Sequence, residues 1–121
     1  LIPISNLGVR QDLIICQGAD YLTSWTFLNP NGSPMDLAGC LHAADLRKYP
    51  GGPVVASFTL TPTLNVVSGL LPASVTTGIS CGPNLVDELS RYQWDYKFTD
   101  STPYVWRLFY GDARVFRLIT P

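Results

Sequence analysis

Apolar and polar residues alternate along much of this 121-residue chain at a period of two, in short runs separated by Gly and Pro, which number ten each. Successive side chains of a strand point to opposite faces, so this pattern predicts half-buried strands with turns between them. The clearest run is 92–99, where Tyr92, Trp94, Tyr96 and Phe98 alternate with Gln93, Asp95, Lys97 and Thr99. A helix would scatter the four aromatics, whereas a strand places them on one side. Tyr21, Thr23, Trp25 and Phe27 share a side of 21–28; Cys40, Ala44 and Leu46 are in register for burial in 40–47; Val54, Ala56, Phe58 and Leu60 are in phase in 54–60. Strands are also expected at 12–17, 75–81, 104–110 and 113–119, the last two separated by Gly111-Asp112.

Three stretches depart from this pattern. Residues 1–8 read as an extended N-terminal arm, because Pro3 discourages pairing and Asn6 and Gly8 permit a bend. Its Leu1, Ile2 and Ile4 are too apolar for free solvation and are candidate protein contacts. Residues 61–74 read as a long loop with one short strand, since Pro62, Gly69 and Pro72 interrupt Leu64, Val66, Val67, Leu70 and Leu71. A loop that apolar calls for a partner, so these five are candidate contacts too. Residues 83–91 form the one helix candidate, with Pro83 early and Leu85, Val86 and Leu89 on one side. The expected architecture is all-β: one antiparallel β-sandwich over 9–121, preceded by the arm.

Composition bears on function through charge. Charged residues make up 14% of the chain, against roughly a quarter in an ordinary globular protein. Either the surface is suited to lasting contact with a neighbour, or Thr, Ser, Asn and Gln have taken the place of charges. The net charge of −1 gives no footprint for nucleic acid or anionic lipid. No apolar run approaches the roughly 18–20 residues that span a membrane, and the first residues do not read as a secretory signal.

Candidate chemistry is sparse. Cys16, Cys40 and Cys81 are widely spaced and odd in number, which favours reduced thiols acting as small hydrophobes. His42 is the sole histidine; it shares a strand face with Cys40, but two ligands do not make a metal site. The carboxylates stand mostly beside turns, and no pair is placed for acid-base work on a sugar. Gly51-Gly52 lacks a phosphate-cradling lysine, and Gly78-Ile79-Ser80-Cys81-Gly82 lacks the α/β framework of a nucleophile elbow. The sequence therefore assigns no catalytic, cofactor-binding or metal residue and reads as non-enzymatic. Trp25, Trp94, Trp106 and the tyrosines could stack on sugar rings, although aromatics at strand spacing more often form core.

The order of several fragments resembles a known group. A strand ends in Gln17-Gly18-Ala19-Asp20-Tyr21; an aromatic strand follows, then Pro30-Asn31-Gly32-Ser33-Pro34-Met35-Asp36-Leu37-Ala38-Gly39. Leu46-Arg47, Tyr92-Gln93-Trp94-Asp95-Tyr96 and 107–115 come after it. Over roughly residues 9 to 119 this resembles the small immunoglobulin-like structural domains of tailed-bacteriophage virions. Asp36-Leu37-Ala38-Gly39 departs from the more familiar Asp-Leu-Thr-Gly, which removes a hydroxyl from that turn. The resemblance implies a virion location and a capsid cement or decoration protein, or else a baseplate, neck or tail accessory. It implies phage capsid or tail proteins as partners, with self-association on the virion, and carries over no catalytic residue. A carbohydrate-binding β-sandwich module is the alternative outside that group.

Overall fold

The computed structural model describes residues 9–29, 31–83, 87–100 and 104–117. Among these, the strands are β1 (Val9–Arg10), β2 (Leu13–Cys16), β3 (Tyr21–Thr26), β4 (Leu41–Arg47), β5 (Val54–Ser57), β6 (Thr59–Thr63), β7 (Val66–Leu71), β8 (Arg91–Thr99) and β9 (Val105–Phe116), with α1 (Ala73–Thr76) after β7. They form two sheets: β1-β9-β8-β4-β5, with β2 also on β9, and β3-β7-β6. This is the strand order of an immunoglobulin-type sandwich, in which the second, fifth and fourth conventional strands face the sheet built on the last ones. The expected antiparallel sandwich is in fact mixed, because β1 and β2 run parallel to β9. The first two described strands lie beside the last one, and the intervening strands serve as the long crossover that parallel pairing requires.

The aromatic stripe of β8 supplies much of the core: Tyr92, Trp94, Tyr96 and Phe98 are all buried. From the opposite sheet Trp25 stacks on Trp94 with ring centroids 6.0 Å apart and meets Tyr96 edge-on at 4.9 Å. Gln11 satisfies both buried indoles: its backbone oxygen accepts from Trp94 Nε1 at 2.6 Å and its side-chain oxygen from Trp25 Nε1 at 3.2 Å. Two glycines make room for this arrangement. A Cβ on Gly69 would lie 2.7 Å from the Trp25 ring, and one on Gly111 would collide with the Gln11 carbonyl oxygen. Tyr92, at the start of β8 and two residues before Trp94, donates its hydroxyl back to the Ser80 carbonyl. That is the tyrosine corner of immunoglobulin-type domains, where the residue two positions on is ordinarily half of an inter-sheet disulfide. Here that position is Trp94, and neither it nor Cys16, Cys40 or Cys81 supplies a disulfide.

Several expected elements are different in the structure. Residues 61–74 are not a long loop: β6 and β7 form a hairpin, and α1 follows. Pro62 is tolerated because β6 is an edge strand. The expected strand at 75–81 is replaced by α1 and the turn after it. Thr76, fully buried, donates to the Ala19 carbonyl at 2.8 Å and accepts from Gly18 N–H at 3.1 Å, while the Asp20 carboxylate accepts from Ala73 N–H at 2.7 Å. The Gly18-Ala19-Asp20 turn thus fixes the helix, overriding β-branched propensity. The expected strand 54–60 is two strands that change sheets at the buried Phe58: β5 pairs with β4 and β6 with β7. Gly111-Asp112 does not break the chain; 105–116 is one strand, with Leu108 as the extra residue where the β8 register shifts. In the expected helix at 83–91, Glu88–Ser90 form a 3₁₀ turn, and 84–86 lie outside the described residues.

Candidate functional site

The two sheets present outer faces of opposite character. On the three-stranded sheet, cross-strand register builds three rows: Leu22, Leu70 and Thr59; Ser24, Ser68 and Thr61; Thr26, Val66 and Thr63. None of these side chains is charged. Leu22 is 72% exposed. The turn of the β6-β7 hairpin carries Leu64, which is 87% exposed and has a left-handed φ of 58°. A bulky residue rarely adopts that conformation, which ordinarily calls for Gly or Asn. The adjacent Asn65 holds the turn, donating from its side chain to the Phe27 carbonyl at 3.0 Å and accepting from Phe27 N–H at 2.8 Å. An exposed leucine in a strained position on an anchored turn serves packing within the domain poorly, and such outliers gather at contact sites.

The outer face of the larger sheet is ionic. Asp112, largely buried, accepts from Gln93 Nε2 at 2.8 Å and lies 3.5 Å from Arg10 and 3.7 Å from both Arg91 and Arg114. Arg47 lies 3.9 Å from Asp45 and 3.8 Å from Asp95, and its Nε donates to the Gly52 carbonyl at 3.0 Å. Beside it a shallow cavity of about 430 Å³ is lined by Arg47, Lys97, Arg107 and Tyr110, with the Pro50-Gly51-Gly52 turn as its rim.

The sequence-based contact candidates divide three ways. Leu1, Ile2 and Ile4 lie outside the described residues. Val67 and Leu71 point inward and are fully buried in the core, so neither can touch a partner. Their period-two neighbours Val66 and Leu70 belong to the uncharged face, and Leu64 stands at its end. The sequence missed Leu22, which joins Leu70 only through the pairing of β3 with β7. Alternation along 21–28 placed Leu22 opposite the aromatic side, the one signal that could have found it.

The remaining candidate chemistry is engaged in the scaffold. His42 Nδ1 lies 2.6 Å from the Tyr96 hydroxyl, and its ring packs edge-on against Phe27. Burial lowers the His42 pKa and raises that of Tyr96, so the imidazole is held neutral. Among the described residues no group of three His, Cys, Asp or Glu side chains is placed to hold a metal ion. Trp25 and Trp94 are core residues, and Trp106 is partly buried and donates to Asp100 at 3.1 Å. An indole platform for sugars is therefore not built from Trp25 or Trp94.

No protein-family model matches the sequence, and no curated protein does. Among solved structures, the chain is similar to one described as the ZIG-8-RIG-5 IG1-IG1 heterodimer, with a TM-score of 0.41 and 8% identity over 88% of this chain and 82% of that one. A likeness that slight adds nothing to what the strand order establishes. By its strand order the molecule is an immunoglobulin-like β-sandwich module.

Proposed function

We propose that this chain is a non-enzymatic structural protein of a tailed-bacteriophage virion, a cement or decoration protein that stabilises boundaries between capsid subunits. The observation that carries the reading is the uncharged outer face of β3, β7 and β6, continued by Leu64. Removing such a face from water requires no ion to be desolvated, whereas burying unpaired charge costs several kcal/mol. The fragments between Gln17 and Val115 that resemble virion domains supply the partner class. The arm bearing Leu1, Ile2 and Ile4 is assigned to the same neighbours. Individually small contacts, repeated over a symmetric shell, resist separation because they must open together.

The test is co-sedimentation of the protein with undecorated capsids of its phage. Wild-type protein should saturate the shell and raise its disruption temperature. The double variant Leu22→Lys and Leu70→Lys, on exposed and half-exposed strand positions, should remain folded but fail to bind. Undiminished binding by that variant would overturn the assignment of the face. Binding to tails or baseplates but not capsids would make the protein an accessory of those structures, and binding to none of them would sink the virion reading.

A further inference from the structure

The turn that follows β3 holds a reactive dipeptide in a defined geometry. Asn31 and Gly32 are both exposed at its tip. Asn31 is bonded through Oδ1, which accepts from Ser33 N–H at 3.0 Å and from the Ser33 hydroxyl at 2.6 Å. That hydroxyl in turn accepts from Asn29 Nδ2 at 3.0 Å, which polarises it as a donor. Gly32 has a left-handed φ of 87°, and a Cβ there would meet no atom within 4 Å. Backbone conformation therefore calls for glycine here, and the absence of a side chain leaves its amide nitrogen uncrowded.

We propose that Asn31 is a site of spontaneous deamidation, in which the Gly32 backbone nitrogen attacks the side-chain carbonyl carbon of Asn31. The new N–Cγ bond closes a succinimide ring and the Cγ–Nδ2 bond breaks. The Gly32 amide proton, passed through water, leaves with Nδ2 as ammonia. Water then opens the ring at either carbonyl to give aspartate or isoaspartate at position 31, so one water is taken up and one ammonia released. During the attack negative charge develops on Oδ1, where both Ser33 donors already point, and donors set in advance on a developing oxyanion lower the barrier. Gly32 N–H donates to the Asn29 carbonyl at 2.9 Å; attack waits for that bond to open, as bonds in exposed turns do readily. The other described asparagines are built differently. Asn29 precedes Pro30, whose nitrogen has no proton to lose. Asn65 precedes the β-branched Val66 of the paired strand β7, and its Nδ2 is held by the Phe27 carbonyl at 3.0 Å.

The modification would bring a carboxylate to the margin of the uncharged face. Leu28 continues the outward positions of β3, is partly exposed, and is bridged to Pro34 in this turn. The chemistry does not rest on what that face binds.

The experiment is ageing of the intact folded protein at mildly alkaline pH, followed by tryptic mapping and mass spectrometry. The peptide from Gln11 to Arg47 should gain the mass difference between an amide and an acid, with both aspartate and isoaspartate at position 31. The rate should rise with pH, because the Gly32 amide must lose its proton, and Asn65 should stay intact. Ser33→Ala should slow the conversion about two- to tenfold, the range for losing one hydrogen bond to the reacting oxygen, and Ser33→Thr should restore it. Conversion in Ser33→Ala as fast as in the wild type, or faster, would mean that these bonds only restrain the turn and would overturn the inference. It would equally be overturned by Asn31 surviving in the folded protein while a urea-unfolded sample converts, or by Asn65 converting at the same rate.

Discussion

The outer faces of the two sheets belong to one sandwich and obey the same pleat, yet they use opposite materials. Across β4, β8 and β9 the outward positions form an ionic lattice centred on Arg47 and Asp112. Across β3, β7 and β6 they are Leu, Val, Ser and Thr throughout. The low charge of the chain is therefore not an even dilution; it reflects segregation, with one face kept free of ions. Covering the ionic face with a flat partner would remove many charges from water, and their attractions seldom repay that fully. The uncharged face presents no such barrier. Both features of the composition meet on this face: Thr and Ser stand where charges would, and Leu22, Leu64, Val66 and Leu70 add apolar area.

The largest expected effect breaks both faces at once. Trp25→Ala empties the ring space between the sheets and should lower unfolding free energy by about 3–5 kcal/mol in urea titration, disordering the two surfaces together. Next, Asp112→Ala attacks the ionic face alone, leaving Arg10, Arg91 and Arg114 around a lost acceptor; a loss of about 1–2 kcal/mol is expected. Capsid association should persist wherever this variant is folded. Leu64→Gly should act in the opposite sense. Glycine relieves the left-handed strain and should stabilise the isolated domain by up to about 1 kcal/mol, while particle binding falls. A simultaneous loss of stability would contradict the reading of Leu64 as a contact residue placed at the domain's expense.

His42 gives a smaller effect, confined to pH. Burial lowers its pKa in the folded state, so as pH falls below the ordinary histidine value near 6.5 the unfolded chain takes up a proton that the folded one resists. Its contribution to stability is complete above that pH and declines on acidification. Urea midpoints measured from pH 7.5 to 5.5 should fall less steeply in His42→Gln than in the wild type. The smallest effect is Ser68→Lys, at the centre of the uncharged face: stability should stay within about 0.5 kcal/mol of wild type although docking is lost.

The core was legible because burial follows strand period: the Tyr92 to Phe98 stripe and the Tyr21, Trp25, Phe27 side were readable without knowing any pairing. What failed were positions whose meaning depends on a distant neighbour. Gly69 read as an interruption, but it is where Trp25 crosses β7; Gly111 read as a break, but it is where Gln11 approaches β9. Thr76 lies in a β-branched run and is helical because of a turn nearly sixty residues earlier. The contact candidates suffered similarly: treating 61–74 as one apolar loop merged Val67 and Leu71, which face inward, with Val66 and Leu70, which do not. The ionic lattice was invisible for the same reason. Asp45 and Asp95 oppose each other only once β4 and β8 are in register.

The stacked tryptophans also remove a chemical condition from folding. A sandwich clasped by a disulfide reaches its final state only after an oxidant has acted, and it loosens wherever reductant is plentiful. A clasp made of two indole rings forms by collapse alone. The sandwich can therefore close in reducing or oxidising solution alike, with no chemical step required.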